Sequence, residues 1–354
     1  MTTKRRQPID APCAWRGDAL DATGAWIRTL SPPALNEIDQ ALRAVKADGL
    51  TWQSVTRDNF PLDVLARELS EIANELEQGR GLMLLRGLPV AHYDTDDLRR
   101  IFVGIGSHLG TIVPQSARGE RLGEIQDEGP EVGQARGQIA ASGGETFLSS
   151  RARVHTTGQL RFHTDRTDVV ALLCIRPARS GGVSKIASSV AIHNAMLDCR
   201  PDLLERLFQA YPRSRFGEET KDPSLTYDLP VFAMADGHFT SHYSRTYIEA
   251  AQMIPGVRRL SAAHVEALDL LHALAEDFCV EMRFQPGDMQ FLNSHVTYHA
   301  RTPYVDHADA DRKRLLFRLW LSMANSRPLP QDHAVLWGDT AAGALRGGIR
   351  ADLV

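Results

Sequence analysis

Phe162-His163-Thr164-Asp165, leading into the apolar run Val169-Val-Ala-Leu-Leu-Cys-Ile175, is the stretch on which the reading of this chain turns. A His-X-Asp pair on one strand, joined by a histidine from much later in the chain, lets a barrel build a face of two imidazoles and one carboxylate. That donor set suits Fe(II) and leaves coordination positions open for chemistry. Asn293-Ser-His295-Val-Thr-Tyr-His299-Ala-Arg301 supplies later histidines, and Arg314-Leu-Leu-Phe-Arg318 follows with two arginines.

The triplet alone carries little weight. The chain has 13 histidines, and His92-Tyr-Asp94 and His307-Ala-Asp309 repeat the spacing. Their surroundings separate them. His92 precedes Asp94-Thr-Asp-Asp97, an acidic stretch that reads as a helix N-terminus, and His307 lies in a polar connection with no apolar framework. His163 leads into a run that must be buried, closed by Pro177 and the Ser180-Gly-Gly182 turn. His295 and His299 differ by an even number of residues, so alternation along a strand leaves both open as the third ligand.

At 354 residues the chain is long for a single module, yet barrels with insertions reach this size as one unit. Its 43% hydrophobic and 24% charged residues are those of a globular protein able to bury a sizeable core. A net charge of −4 and a pI near 6.4 give no general basic footprint for nucleic acid. Met1-Thr-Thr-Lys-Arg-Arg-Gln7 is not followed by an apolar h-region, and no apolar run reaches the length of a membrane span. Cys13, Cys174, Cys199 and Cys279 are far apart and read as reduced thiols, neither zinc ligands nor disulfides. A cytoplasmic protein is expected.

Residues 1–32 are mixed and polar, and an irregular surface arm is expected there. Apolar residues at helical spacing predict helices from Pro33 to about Lys46, from Leu62 to about Gln78 and from Asp96 to about Leu109, with a short strand Leu82–Leu85 among them. Gly133, Gly137, Gly143 and Gly144 interrupt any period between Gly110 and about Gln159, and a flexible lid is expected. Further on, Ser188 to about Phe208 reads as a helix, Leu229 to Thr240 as a hairpin turned at Asp236-Gly237, and Ser261 as the cap of a helix reaching about Asp277. Strands are expected over Val280–Gln285, Met289–Leu292 and Leu315–Leu321. Strands that resume after a helical insertion at about 188–277 describe a mainly β core that folds back on itself, not a βαβ sheet. This divides the chain into 1–79, an arm and helices packed on the barrel; 80–325, the barrel; and 326–354, a tail. The amphipathic N-terminal helices could pack on the barrel or on a second subunit, which leaves the oligomeric state open.

Taken in order, Phe162-His163-Thr-Asp165, Ser180-Gly-Gly-Val-Ser184, Pro286-Gly-Asp288 before Tyr298-His299-Ala-Arg301, and Arg314-Leu-Leu-Phe-Arg318 resemble the TauD/TfdA (taurine dioxygenase-like) family over about residues 80–325. The resemblance implies a double-stranded β-helix, the jelly roll of the clavaminate synthase-like enzymes, and dependence on Fe(II), 2-oxoglutarate and O2. It implies His163, Asp165 and His299 as iron ligands, the Gly287-Asp288 register choosing His299 over His295. Arg314 matches the arginine that grips the distal carboxylate of 2-oxoglutarate, where a planar guanidinium offers two parallel donors. Ser184 stands where the taurine enzyme has a threonine on the same carboxylate. Arg318 would point toward the iron, near the co-substrate's other carboxylate or an anionic group on the substrate.

The reaction implied is oxidation of a substrate C–H bond coupled to decarboxylation of 2-oxoglutarate to succinate and CO2. Gln115 and Gln159 are candidate substrate contacts. Their flanking sequences depart from the taurine enzyme, so taurine is not the expected substrate; Arg318 favours a small polar or anionic molecule such as an organic acid or amino-acid derivative. Two other functions use related parts. A metal-dependent lyase or isomerase on a cupin-like barrel needs the ligands without the Arg314–Ser184 pair, and a non-catalytic 2-oxoglutarate sensor would tolerate loss of a ligand.

Overall fold

A computed structural model describes residues 7–140, 146–215 and 226–349. In chain order the strands of its two main sheets are β1 (Ile27–Thr29), β2 (Leu82–Arg86), β3 (Thr111–Val113), β4 (Leu122–Ile125), β5 (Leu160–His163), β6 (Val169–Arg176), β7 (Ser184–Ser188), β8 (Val280–Met282), β9 (Met289–Asn293), β10 (Thr297–Arg301) and β11 (Leu315–Ser322). The larger sheet runs β1-β2-β9-β6-β11-β3, with β4 also paired to β11, and the smaller runs β8-β7-β10-β5. Every pairing except β1 with β2 is antiparallel. Neighbours come from distant parts of the chain, and the two sheets form the expected double-stranded β-helix.

Alternation along β6 and β11 assigns their faces. Val169, Ala171, Leu173 and Ile175, with Leu315, Phe317, Leu319 and Leu321, pack outward against α2 (Pro32–Ala47), α3 (Val64–Gln78) and α4 (Thr95–Leu109). Each fully buried Leu or Phe of that layer contributes about 1.5–3 kcal/mol. α4 approaches closely because Gly106 has no side chain: a Cβ there would stand 2.5 Å from Leu319 Cδ1. The intervening residues of β11, Leu316, Arg318 and Trp320, face the barrel interior.

The first 32 residues differ from the expected surface arm. After α1 (Gly17–Thr23), β1 joins the sheet edge parallel to β2, and Trp15 and Trp26 pack with Leu84, Ile186 and Val280. Two large indoles and Leu20 outweigh the polar average of the segment, Trp26 being only 2% exposed. Segment 110–159 also holds more regular structure than its glycines suggest. β3 and β4 occupy the edge of β11, burying Ile112, Val113, Leu122 and Ile125, and α5 (Ser150–Val154) precedes β5. The free ladder groups of β11 supply hydrogen bonds that a period count within 110–159 could not reveal. Gly143 and Gly144 of the expected lid lie outside the described residues.

The insertion contains helices and hairpins together. The helix expected over Ser188–Phe208 is two, α6 (Ser189–Cys199) and α7 (Pro201–Leu207), because Pro201 lacks an N–H and starts a new helix. The hairpin of Phe232–Ala235 with His238–Ser241 turns at Asp236 and Gly237, both with positive φ (47° and 85°), as a two-residue hairpin turn requires. Beyond α8 (Arg245–Gln252), α9 (Ala262–Phe278) begins after Ser261, whose hydroxyl meets His264 Nδ1 at 2.7 Å instead of capping a backbone N–H. β8 ends at Met282, short of Gln285, whose N–H donates to the Asp288 carboxylate. That carboxylate also takes both forks of Arg86 at 2.8 and 3.0 Å, so Asp288 ties β2 to the turn before β9.

His295 lies in the turn between β9 and β10, where strand alternation does not apply. Its Nε2 meets Asp168 Oδ1 at 2.9 Å, its Nδ1 meets the Thr240 hydroxyl at 2.9 Å, and its ring lies 4.8 Å from that of Trp337. Burial lowers its pKa to about 4, against the opposing pull of Asp168. In unfolded chain a histidine titrates near ~6.5, so between those values the unfolded state binds more protons and stability falls as pH falls. Burial raises the Asp168 carboxyl, but His295 and Arg346 outweigh it and hold it below the carboxylate range, so its contribution too is lost in acid. The thermal midpoint is therefore expected to drop from pH 6.5 toward 4.5, less steeply in His295→Gln. Equal slopes for the two proteins would contradict this.

Candidate active site

Register between β5 and β10 places His163 directly opposite His299, with ring centroids 4.2 Å apart. A bulge between this pair and Leu160↔Arg301 breaks strict alternation, so Leu160 and His163 line the same cavity although three residues apart. Asp165 follows β5; its Oδ1 is 3.9 Å from His163 Nε2 and its Oδ2 is 3.9 Å from His299 Nε2. Two atoms each about 2.2 Å from one ion can be no more than about 4.4 Å apart, so both separations fit a shared metal. Among the described residues, these three side chains form the cluster of His, Cys, Asp or Glu able to hold an ion, and His295 is not part of it.

The electrostatics suit a divalent cation. His163 Nδ1 lies 2.9 Å from the Arg161 carbonyl, an arrangement that assigns its proton to Nδ1 and leaves the Nε2 lone pair for metal. Burial lowers the pKa of both imidazoles, His299 to about 3 with a further contribution from neighbouring His163. Burial alone would raise Asp165, but Arg318, His299 and His163 outweigh it, and the Trp320 indole N–H donates to its Oδ2 at 3.1 Å. Two neutral imidazoles and one carboxylate result.

Behind the histidines a cavity is walled by Ile125, Val154, Leu172, Phe284 and Leu316 and carries Ser184 and Arg314. Arg314 is 5% exposed, its guanidinium lies 5.1 Å from the Tyr304 ring centroid, and among the described residues Nη1 has no hydrogen-bond partner. A buried guanidinium with an unsatisfied donor is costly unless an anion joins it. Ser184 Oγ accepts from the Gln290 amide at 3.2 Å, which leaves its own O–H free to donate. The cavity thus fits a carboxylate at the Arg314 end and a chelating group at the histidines.

A second chamber shares His163, Val154 and Arg318 with the first and adds Asp165 and Trp320. Sequence reading missed most of its walls: Arg151, Arg166, Tyr227, His242, Tyr247, Leu336 and Ile349. They come from α5, the segment after β5, the insertion and the tail, and no local pattern links them. The tail is held by Gly348 N–H donating to the Arg166 carbonyl and Ile349 N–H to that of Pro114, each at 2.8 Å. Gln115 reaches this chamber, whereas Gln159 is exposed and lines neither cavity. Arg301 instead holds the approach to β5, donating to the carbonyls of Thr156 and Gly158 at 2.6 Å.

A double-stranded β-helix with two imidazoles and a carboxylate at one end of an arginine-bearing cavity defines the class of Fe(II)- and 2-oxoglutarate-dependent oxygenases. The chain belongs to the taurine catabolism dioxygenase TauD, TfdA family, whose model matches residues 46–320. It is 28% identical over 344 residues to the FR-33289 synthase of Streptomyces rubellomurinus, covering 95% of this chain and 97% of that protein. A taurine hydroxylase-like protein of Stachybotrys chartarum is 29% identical over 86% of this chain and 77% of its own. Among solved structures, an asparagine oxygenase in complex with Fe(II), 3-hydroxyasparagine and succinate superposes with a TM-score of 0.61 at 16% identity, over 90% of this chain and all of that one. The non-haem iron oxygenase OrfP in complex with iron and alpha-ketoglutaric acid gives 0.59 at 12% identity, over 83% and 93%. The protein is an Fe(II)/2-oxoglutarate-dependent dioxygenase. Among the described residues no helix is long and apolar enough to cross a membrane.

Proposed function

We propose that His163, Asp165 and His299 hold the iron, that Arg314 and Ser184 hold the distal carboxylate of 2-oxoglutarate, and that the chamber beyond Arg318 takes a small polar or anionic organic substrate. The approach of the Asp165 carboxylate to both imidazoles, 3.9 Å from His163 Nε2 and 3.9 Å from His299 Nε2, is the observation that carries this reading. When bound, iron and 2-oxoglutarate supply O2 activation coupled to decarboxylation, with oxidation of a substrate C–H bond. The protein's own part is placement and exclusion of water. Arg314 and Ser184 fix one end of the co-substrate, the apolar walls keep its surroundings dry, and Arg318 supplies positive charge where co-substrate and substrate meet.

Arg151 and Arg166 in the same chamber support an anionic group on the substrate, an organic acid or amino-acid derivative. The asparagine oxygenase and OrfP are reported with hydroxylated amino acids, which is consistent with that size.

Arg314→Ala is expected to raise the concentration of 2-oxoglutarate needed for half-saturation by about 100-fold, as loss of a charged hydrogen-bond pair of roughly 3 kcal/mol does, with metal affinity nearly intact. Calorimetric titration of the metal-loaded protein checks both. Equal loss of metal affinity would count against the role given to Arg314.

A further inference from the structure

Gln115, two residues past β3, meets Arg318 twice. Arg318 Nε–H donates to Gln115 Oε1 at 2.6 Å, and Gln115 Nε2 donates to the Arg318 carbonyl at 2.8 Å. The same Nε2 donates to the Arg121 carbonyl at 3.2 Å, so both amide hydrogens are used. At 5% exposure the side chain has no spare donor for a ligand. Gly123 of β4 is the cross-strand partner of Arg318, and a Cβ there would stand 2.9 Å from Gln115 Oε1. The amide fills the space that a side chain at position 123 would take.

The consequence lies at the other end of Arg318. With its Nε held, Arg318 lines both cavities. Nη1 stops 3.8 Å from Asp165 Oδ2, about 1 Å beyond a direct charged hydrogen bond. A released arginine would close that gap and compete with the metal for the carboxylate. We propose that Gln115 is a positioning residue, an amide clamp that holds Arg318 off Asp165 and aims its fork at the anionic groups meeting beside the iron. The part concerning 2-oxoglutarate rests on the function proposed above; the part concerning metal affinity rests on the geometry of Gln115, Arg318 and Asp165.

The test is a double-mutant cycle on the full chain: wild type, Gln115→Ala, Arg318→Ala and the double variant. Co(II) affinity is followed by its visible absorption, and 2-oxoglutarate affinity by calorimetry on the Co(II) form. Gln115→Ala is expected to weaken both about tenfold, the effect of losing one charged hydrogen bond, and to change neither further once Arg318 is absent. Gly123→Ala should shift both affinities the same way by displacing the amide, and should change neither once Arg318 is alanine. Unchanged affinities in Gln115→Ala, or equal losses with and without Arg318, would overturn the clamp and make Gln115 inert or a direct contact. A wild type that binds Co(II) but not 2-oxoglutarate would sink the co-substrate reading, while the Co(II) limb still decides the clamp.

Discussion

Alanine at His163 or His299 is expected to lower Fe(II) affinity by more than about 100-fold, since changes to groups that only support a ligand already cost 10–100-fold. Succinate formation from 2-oxoglutarate should fall to background in the same variants. The expectation follows from register: the two imidazoles face one another across β5 and β10, and either substitution leaves only one histidine and Asp165 of the three donors to hold the cation. The matching substitution at His295 separates this from a general effect of removing a buried imidazole. His295 donates to Asp168 and lies outside the donor cluster, so His295→Gln should retain metal while losing stability. Equilibrium titration of metal with each purified variant, alongside circular dichroism to verify folding, checks the pair of outcomes. Retention of full Fe(II) affinity by His299→Ala would remove that residue from the site.

Asp168→Ala is expected to be strongly destabilising. Asp168 Oδ1 receives His295 at 2.9 Å and Arg346 Nε at 2.8 Å, and Oδ2 receives the Met323 N–H at 2.9 Å. Arg346 is fully buried, so removing the acid leaves an uncompensated charge together with unsatisfied donors. Breaking such a pair from one side costs about 3–5 kcal/mol. The damage should reach function, because the network joins the tail that walls the chamber, the turn leading into the strand of His299, and the insertion hairpin through Thr240. Chemical denaturation gives the stability loss, and a loss below about 1 kcal/mol would mean that the network rearranges around the gap, as a neutral surface site does.

Much of the site was legible because its chemistry needs rare residues in a fixed order. His163, Asp165, Arg314 and Arg318 stand on or beside strands whose apolar runs announce burial, and alternation carries Leu316, Arg318 and Trp320 to one face. His299 could not be separated from His295 by parity, because the two are an even number of residues apart, and only the family register chose between them; the structure sets His295 in a turn. The chamber walls were illegible for a different reason. Tyr227, Tyr247, Leu336 and Ile349 meet only after the insertion and the tail fold over the barrel mouth, a long-range event with no periodic signature. Gln115 was visible as a polar residue near the site, but its bond to Arg318 depends on β3 and β4 sharing the edge of β11, which the glycines of that segment concealed. The buried N-terminal tryptophans were hidden in the same way, by averaging over a polar stretch.

The central claim, that 2-oxoglutarate chelates a metal held by His163, Asp165 and His299, is tested most directly by anaerobic titration of the Fe(II) protein with 2-oxoglutarate. A weak visible metal-to-ligand charge-transfer band should grow in with the wild type, fail to form with His163→Ala, and form with Arg314→Ala only at much higher 2-oxoglutarate. Bound iron without such a band at saturating 2-oxoglutarate would contradict the account.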